Sequence, residues 1–138
     1  AELAGFVARD LWERAHAQGG EGARAATLRE DDATNSLEFL ASVAAELKPR
    51  IDGAAPGAPS LFLLACGATA GSPSAAAAGG AVLIVGSEQL VVEAGKRVVE
   101  RFGKERVKGG GKGRWQGKVT GRWENGDALL LKRIVDEV

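Results

Sequence analysis

Residues 61–66 read Leu-Phe-Leu-Leu-Ala-Cys, a run with no polar side chain in it. Successive side chains of a strand point to opposite faces, so a strand that is apolar at every position must be buried on both. A second run of the same kind, Ala-Val-Leu-Ile-Val at residues 81–85, is closed by Gly86. Two such strands cannot lie on a surface. They require helices as cover, and the rest of the chain reads as the source of those helices: an α/β fold in which a small sheet is covered by helices.

The helical periodicities follow from spacing. Residues 2–17 predict a helix whose stripe is Leu3, Val7, Leu11 and Ala15, flanked by Phe6 and Trp12 and ended by Gly19-Gly20. Because no capping residue precedes Leu3, residues 1–20 read as the continuation of a helix begun upstream, and residues 21–138 as the α/β domain proper. Residues 24–29 are compatible with a strand, and Glu30-Asp31-Asp32 with an acidic turn. Asn35 with Glu38 matches a capping box ahead of a helix that buries Leu37, Leu40, Ala44 and Leu47, with Phe39 and Val43 beside them. Pro49 is expected to stop that helix. Residues 67–80 are rich in Ala, Gly and Ser and predict a mobile loop. Ser87 predicts the N-cap of a helix that turns Val91, Ala94, Val98 and Phe102 to the core and ends at Gly103. Residues 115–120 predict a last strand, and residues 125–137 a terminal helix using Leu129, Leu130, Ile134 and Val135.

Charge divides along the chain. Its formal total is zero, yet residues 1–94 hold six basic against twelve acidic side chains, and residues 95–138 reverse those numbers. The basic excess concentrates at residues 96–122, with ten Lys or Arg and two Glu. Seven of the nineteen residues from 103 to 121 are glycine. Glycines among cations offer exposed amide donors with little side-chain bulk, a surface suited to phosphates. On the preceding helix Arg97, Arg101 and Lys104 predict an outward stripe that continues into Lys108, Gly109, Gly110, Gly111, Lys112, Gly113 and Arg114, then Trp115, Gln116 and Lys118. Trp115 has two readings, a ring stacked on a base and a ring covering the sheet; Trp123 reads as packing beside the last helix.

The chemistry absent from the sequence bears on catalysis. The one histidine, His16, and the one cysteine, Cys66, are far apart, and no CxxC, HxxxH or HExxH occurs. A protein-only zinc site and a His- or Cys-based catalytic apparatus therefore find no residues here. The glycine segment lacks the Lys-Ser/Thr of a Walker A loop, and a helix rather than a strand precedes it, unlike a dinucleotide fingerprint. A cysteine without a disulfide partner suits a reducing, cytoplasmic location, and no apolar run reaches the length of a membrane span.

Residues 110–119, Gly-Gly-Lys-Gly-Arg-Trp-Gln-Gly-Lys-Val, resemble the C-terminal signature of the long-form AlaX proteins, free-standing relatives of the alanyl-tRNA synthetase editing domain. Residues 28–40 resemble the same family's basic-acidic turn ahead of a helix. Trp115 stands where that family commonly has Phe, Val119 where Ala is usual, and residues 67–80 are an Ala-rich insertion. The resemblance implies a C-Ala-like, DHH-associated domain. It also implies a whole protein that hydrolyses seryl- or glycyl-tRNA(Ala), using zinc held by HxxxH and CxxxH motifs in an editing domain upstream. None of those ligands is in this chain, so no cofactor is expected in it. The chain is expected to be a non-enzymatic domain that contacts tRNA, with tRNA(Ala) the implied partner, docks on the editing domain and in some members dimerises. In related phosphodiesterases the glycine loop carries a histidine; Lys112 occupies that region here. Two other readings of the residues stand beside this one: an assembly module built on the Phe6 and Trp12 edge, and a domain that binds a small phosphorylated ligand.

Overall fold

The computed structural model describes residues 2–17, 23–29, 37–53, 60–67, 80–111, 114–119 and 126–138. Four helices and five strands alternate as α1 (Glu2–Ala17), β1 (Ala23–Arg29), α2 (Leu37–Asp52), β2 (Ser60–Gly67), β3 (Gly80–Gly86), α3 (Glu88–Phe102), β4 (Val107–Gly110), β5 (Arg114–Val119) and α4 (Asp127–Glu137). The strands form one mixed sheet in the order β1-β2-β3-β5-β4. β1 and β2 run parallel, joined through α2, and every other pair is antiparallel.

The two apolar runs become adjacent central strands, and their alternation serves two cores. Leu61, Leu63, Ala65, Val82 and Ile84 face α3 and α4. Phe62, Leu64, Cys66, Leu83 and Val85 face α1 and α2, where Phe62 stacks with Trp12 at 5.8 Å between ring centroids. Each fully buried Leu, Ile or Phe contributes on the order of 1.5–3 kcal/mol of transfer free energy. The fold is therefore a sheet between two helical layers, as expected.

The two layers are unequal. On one face α4 lies over β1 and β2, and α3 over β3, β5 and β4, so all five strands are covered. On the other, α1 packs on β1 and on α2, and α2 packs on β2 and β3. Among the described residues, nothing packs over the corresponding face of β5 and β4.

Several elements differ from the sequence expectation, each for a local reason. α1 buries Ala4, Ala8, Leu11 and Ala15, while Phe6 is 67% exposed. Small side chains let α1 approach α2 closely, so the alanine stripe wins over the larger Val7. Helix α1 shares its core with α2 and the sheet, and is part of the same packed unit. Pro49 lies inside α2, which continues to Asp52. Ala45, whose carbonyl loses its amide donor to the proline, is an exposed residue, so water can replace that donor. Ser87 holds the N-cap position with its hydroxyl turned elsewhere: it accepts the Ser60 amide at 3.0 Å, while the Ser87 amide donates to the Ser60 carbonyl at 2.7 Å. Leu129 is exposed, and Leu131 takes its place beside Ile134 and Val135. Gly67 and Gly80 belong to strands. The remainder of the expected 67–80 loop, the Asn35 cap, the Asp31-Asp32 turn and Trp123 fall outside the described residues.

Three long-range contacts hold α4 in place. At its start, Asp127 accepts from Arg106 at 2.8 Å, and the Arg106 guanidinium lies 5.3 Å from the centre of the Phe102 ring. At its end, the half-buried Arg24 of β1 donates to the carbonyls of Val135 and Val138 at 3.1 and 2.6 Å. A cation on the last carbonyls satisfies orphan acceptors and opposes the negative end of the helix. Nearby, Glu137 receives Arg101 at 2.9 Å and Arg97 at 3.4 Å. The Arg106 pair is the most enclosed of these, so Asp127→Ala is expected to cost about 1.5–3 kcal/mol in chemical denaturation. Glu137→Ala, which removes two partly solvated ion pairs, is expected to cost no more than about 1 kcal/mol.

Candidate nucleic-acid interface

Strand β5 alternates strictly. Trp115, Gly117 and Val119 are buried against α3, and Arg114, Gln116 and Lys118 are exposed on the opposite face. Strand β4 repeats the pattern in register: Val107 pairs with Val119 and Gly109 with Gly117, while Lys108 pairs with Lys118 and Gly110 with Gln116. The segment expected to be a glycine loop is thus largely a β-hairpin. Its polar members share one face because its core members must share the other.

The glycines have a structural use that spacing does not disclose. An added Cβ at Gly95 of α3 would come 2.4 Å from the Trp115 ring, and one at Gly117 would come 2.6 Å from it. At Gly109 a Cβ would meet the backbone of Gln116 and Gly117 at 2.5 Å and the same ring at 2.9 Å. Trp115 fits a notch made by a helix and two strands, each contributing a residue without a side chain. This corrects the stacking reading of Trp115: the ring is 5% exposed and belongs to the core.

The expected cationic surface separates into two groups. Arg97 and Arg101 do lie on the outer side of α3, but they are engaged with Glu93 and Glu137. The structure places them as ties between α3 and α4, with both side chains still partly exposed. Lys104, Lys108, Arg114 and Lys118 are exposed, with no ion pair to another described residue. Lys104 faces a shallow hollow of about 370 Å³ on the α3 side, together with Lys96 and Gly109 to Gly111. Lys108, Arg114 and Lys118 lie on the other side, with Gln116, on the part of the sheet that α1 and α2 do not reach. Gly110 and Gly111 are exposed at the end of β4, a sheet edge. Lys112 and Gly113 fall outside the described residues.

Lys108 and Lys118 stand directly opposite each other. Like charges across an antiparallel pair repel and reduce stability, whereas an anion lying between them would relieve the repulsion. With Arg114 two residues before Gln116 on the same face, the described residues of β4 and β5 carry three cations and one amide and no carboxylate. Such a surface complements a line of phosphates.

Other titratable groups add little chemistry. Burial pushes the Cys66 thiol above its ordinary value, against a smaller opposing effect from a backbone hydrogen bond with Ala81. It is therefore held as a neutral thiol within the α1–α2 core. Among the described residues no cluster of three or more His, Cys, Asp or Glu could hold a metal ion, and no helix is long and apolar enough to cross a membrane. No protein-family model matches the chain, and comparison with curated proteins returns no match. The likeness to AlaX proteins therefore rests on the residues quoted above.

Two substitutions test this geometry. Gly117→Ala is expected to destabilise the protein by about 1–3 kcal/mol through overpacking. The closest crowded atoms are the far end of the indole, which phenylalanine lacks, so part of that cost should disappear in a Trp115→Phe background, leaving the share due to the Lys108 carbonyl at 3.0 Å. A double-mutant cycle by urea denaturation measures the coupling. Lys118→Glu replaces a repulsive cross-strand pair by an attractive one and is expected to raise stability by about 0.2–1 kcal/mol. A loss of stability in that variant would show that the repulsion is not present.

Proposed function

We propose that this chain is an RNA-binding domain that holds the phosphodiester backbone of folded tRNA on the open β4–β5 face. The supporting observation is the cross-strand Lys108–Lys118 couple, without an ion pair to another described residue, with Arg114 and Gln116, displayed on the part of the sheet that α1 and α2 leave bare. The cations supply charge and Gln116 a neutral hydrogen bond. The exposed edge of β4, poor in side chains, lets a backbone approach closely. Taken with the likeness of residues 110–119 to AlaX proteins, the partner is tRNA, with tRNA(Ala) the first to test. The domain would serve, without catalysing the reaction itself, an upstream zinc editing domain that removes serine or glycine from tRNA(Ala) in the cytoplasm.

Binding is expected to be salt-dependent, because neutralised phosphates release counterions. With about three phosphates engaged, the logarithm of the association constant should fall with the logarithm of salt at a slope of about −2 to −3. Arg114→Glu/Lys118→Glu is expected to abolish binding with the fold retained, and Arg97→Gln/Arg101→Gln to leave it within about twofold, since those side chains serve the α3–α4 contact. Fluorescence anisotropy with tRNA(Ala) and an unrelated tRNA at several salt concentrations measures all three. A salt-independent constant, or loss of binding only in the α3 variant, contradicts the proposal.

One observation favours a second reading, an assembly contact: Phe6 is an exposed aromatic on α1. Removing α1 would strip Ala4, Ala8, Leu11 and Ala15 from the core, so the cleaner probe is Phe6→Ser. Sedimentation of the wild type as a monomer at all concentrations, unchanged in Phe6→Ser, disposes of this reading.

A further inference from the structure

Beside the open hairpin, where the flank of α2 rises from β3, the surface folds into a cleft of about 530 Å³. This falls within the range of roughly 300–1,000 Å³ common for small-molecule sites. Its base includes Ala44 and Val85, 5% and 8% exposed, and Ala45 and Ile51 line it from α2. Lys48 of α2 and Arg114 of β5 line it from its two sides, and among the described residues no carboxylate does. Arg114 is paired in register with Val85, so one residue belongs both to the cationic hairpin face and to the cleft.

An apolar base between two cations is mismatched to a continuous double helix, which presents sugar and phosphate outward and keeps its bases stacked inside. It matches a nucleotide whose base is unpaired: a flat heterocycle to leave water, with a phosphate on either side of its sugar. We infer that the cleft seats one unpaired nucleotide of the bound RNA, its base against Ala44, Ile51 and Val85 and its flanking phosphates on Lys48 and Arg114. This rests on the RNA-binding reading and adds a site to it. Among the described residues, the lining side chains offer the base edges no neutral hydrogen-bonding group. The site selects for an unstacked base and is tolerant of its identity, as contacts to base faces generally are.

The test uses the whole chain and three RNA hairpins of one stem: fully paired, with a protruding unpaired uridine, and with an abasic ribose phosphate in the uridine's place. The uridine form is expected to bind about fivefold or more tighter than the abasic form, from the apolar surface it buries. Replacing uridine with adenosine should preserve that preference. Ala45→Leu/Lys48→Ala, both at exposed helical positions and checked for folding by circular dichroism, should bring the ratio close to one. Equal affinity for uridine and abasic forms in the wild type overturns the inference and leaves backbone binding intact; so does a ratio that persists in the double variant. If no hairpin binds, the RNA reading and this inference fail together. Free uridine monophosphate that saturates the cleft without competing with the protruding uridine would also overturn it.

Discussion

The packing of Trp115 onto three residues that lack side chains organises the β4–β5 half of this domain. The ring can be buried only if α3 approaches β5 and β4 closely, and Gly95, Gly109 and Gly117 permit that approach. Once Trp115 points toward α3, strand alternation leaves no choice for its neighbours. Arg114, Gln116 and Lys118 must point the other way, and the in-register pairing brings Lys108 to the same side. The cationic face is thus a geometric consequence of the core on the reverse of the sheet. Loosening that core would blur the surface as well as lower stability.

A second constraint is the unequal helical cover. α3 and α4 span the full width of the sheet, whereas α1 and α2 span about the half nearest β1. Two helices standing side by side on three strands leave the antiparallel hairpin bare and create a step at its boundary. The hairpin supplies a flat charged track, and the step supplies the cleft. Both features arise where the α1–α2 layer ends.

Much of this was legible in the sequence, and the exceptions share a cause. The runs at residues 61–66 and 81–85 announced central strands because burial on both faces leaves an unmistakable composition. α3 was readable from Val91, Ala94, Val98 and Phe102, and from Gly103, whose φ of 95° suits a residue without a side chain. β4 was not readable. Val-Lys-Gly-Gly has low strand propensity, and the pairing that makes it a strand is supplied by β5. The glycines there resembled a phosphate loop because local composition cannot distinguish space left for a ligand from space left for an indole. Arg97 and Arg101 were correctly placed on the outer side of α3. Their partner Glu137 lies 40 and 36 residues away, and nothing local indicated that α4 would bring it near. Lys108, Arg114, Gln116 and Lys118 stand on one open face, as a phosphate-binding surface would need; Lys104 faces the opposite side. The cleft is not legible in the sequence, because Ala44, Ala45, Lys48 and Ile51 look like one flank of an ordinary helix until β5 is placed beside it.

The central claim, that the bare hairpin face receives the RNA backbone, is tested most directly by lysine footprinting of the intact chain. Acetylation of each lysine would be followed by mass spectrometry with and without saturating tRNA(Ala). The account requires Lys108 and Lys118 to become strongly protected, while Lys96 and Lys132 on the α3–α4 side react as before. Protection confined to Lys96, Lys104 and Lys132, with Lys108 and Lys118 still fully reactive, would place the RNA on the opposite layer and contradict it.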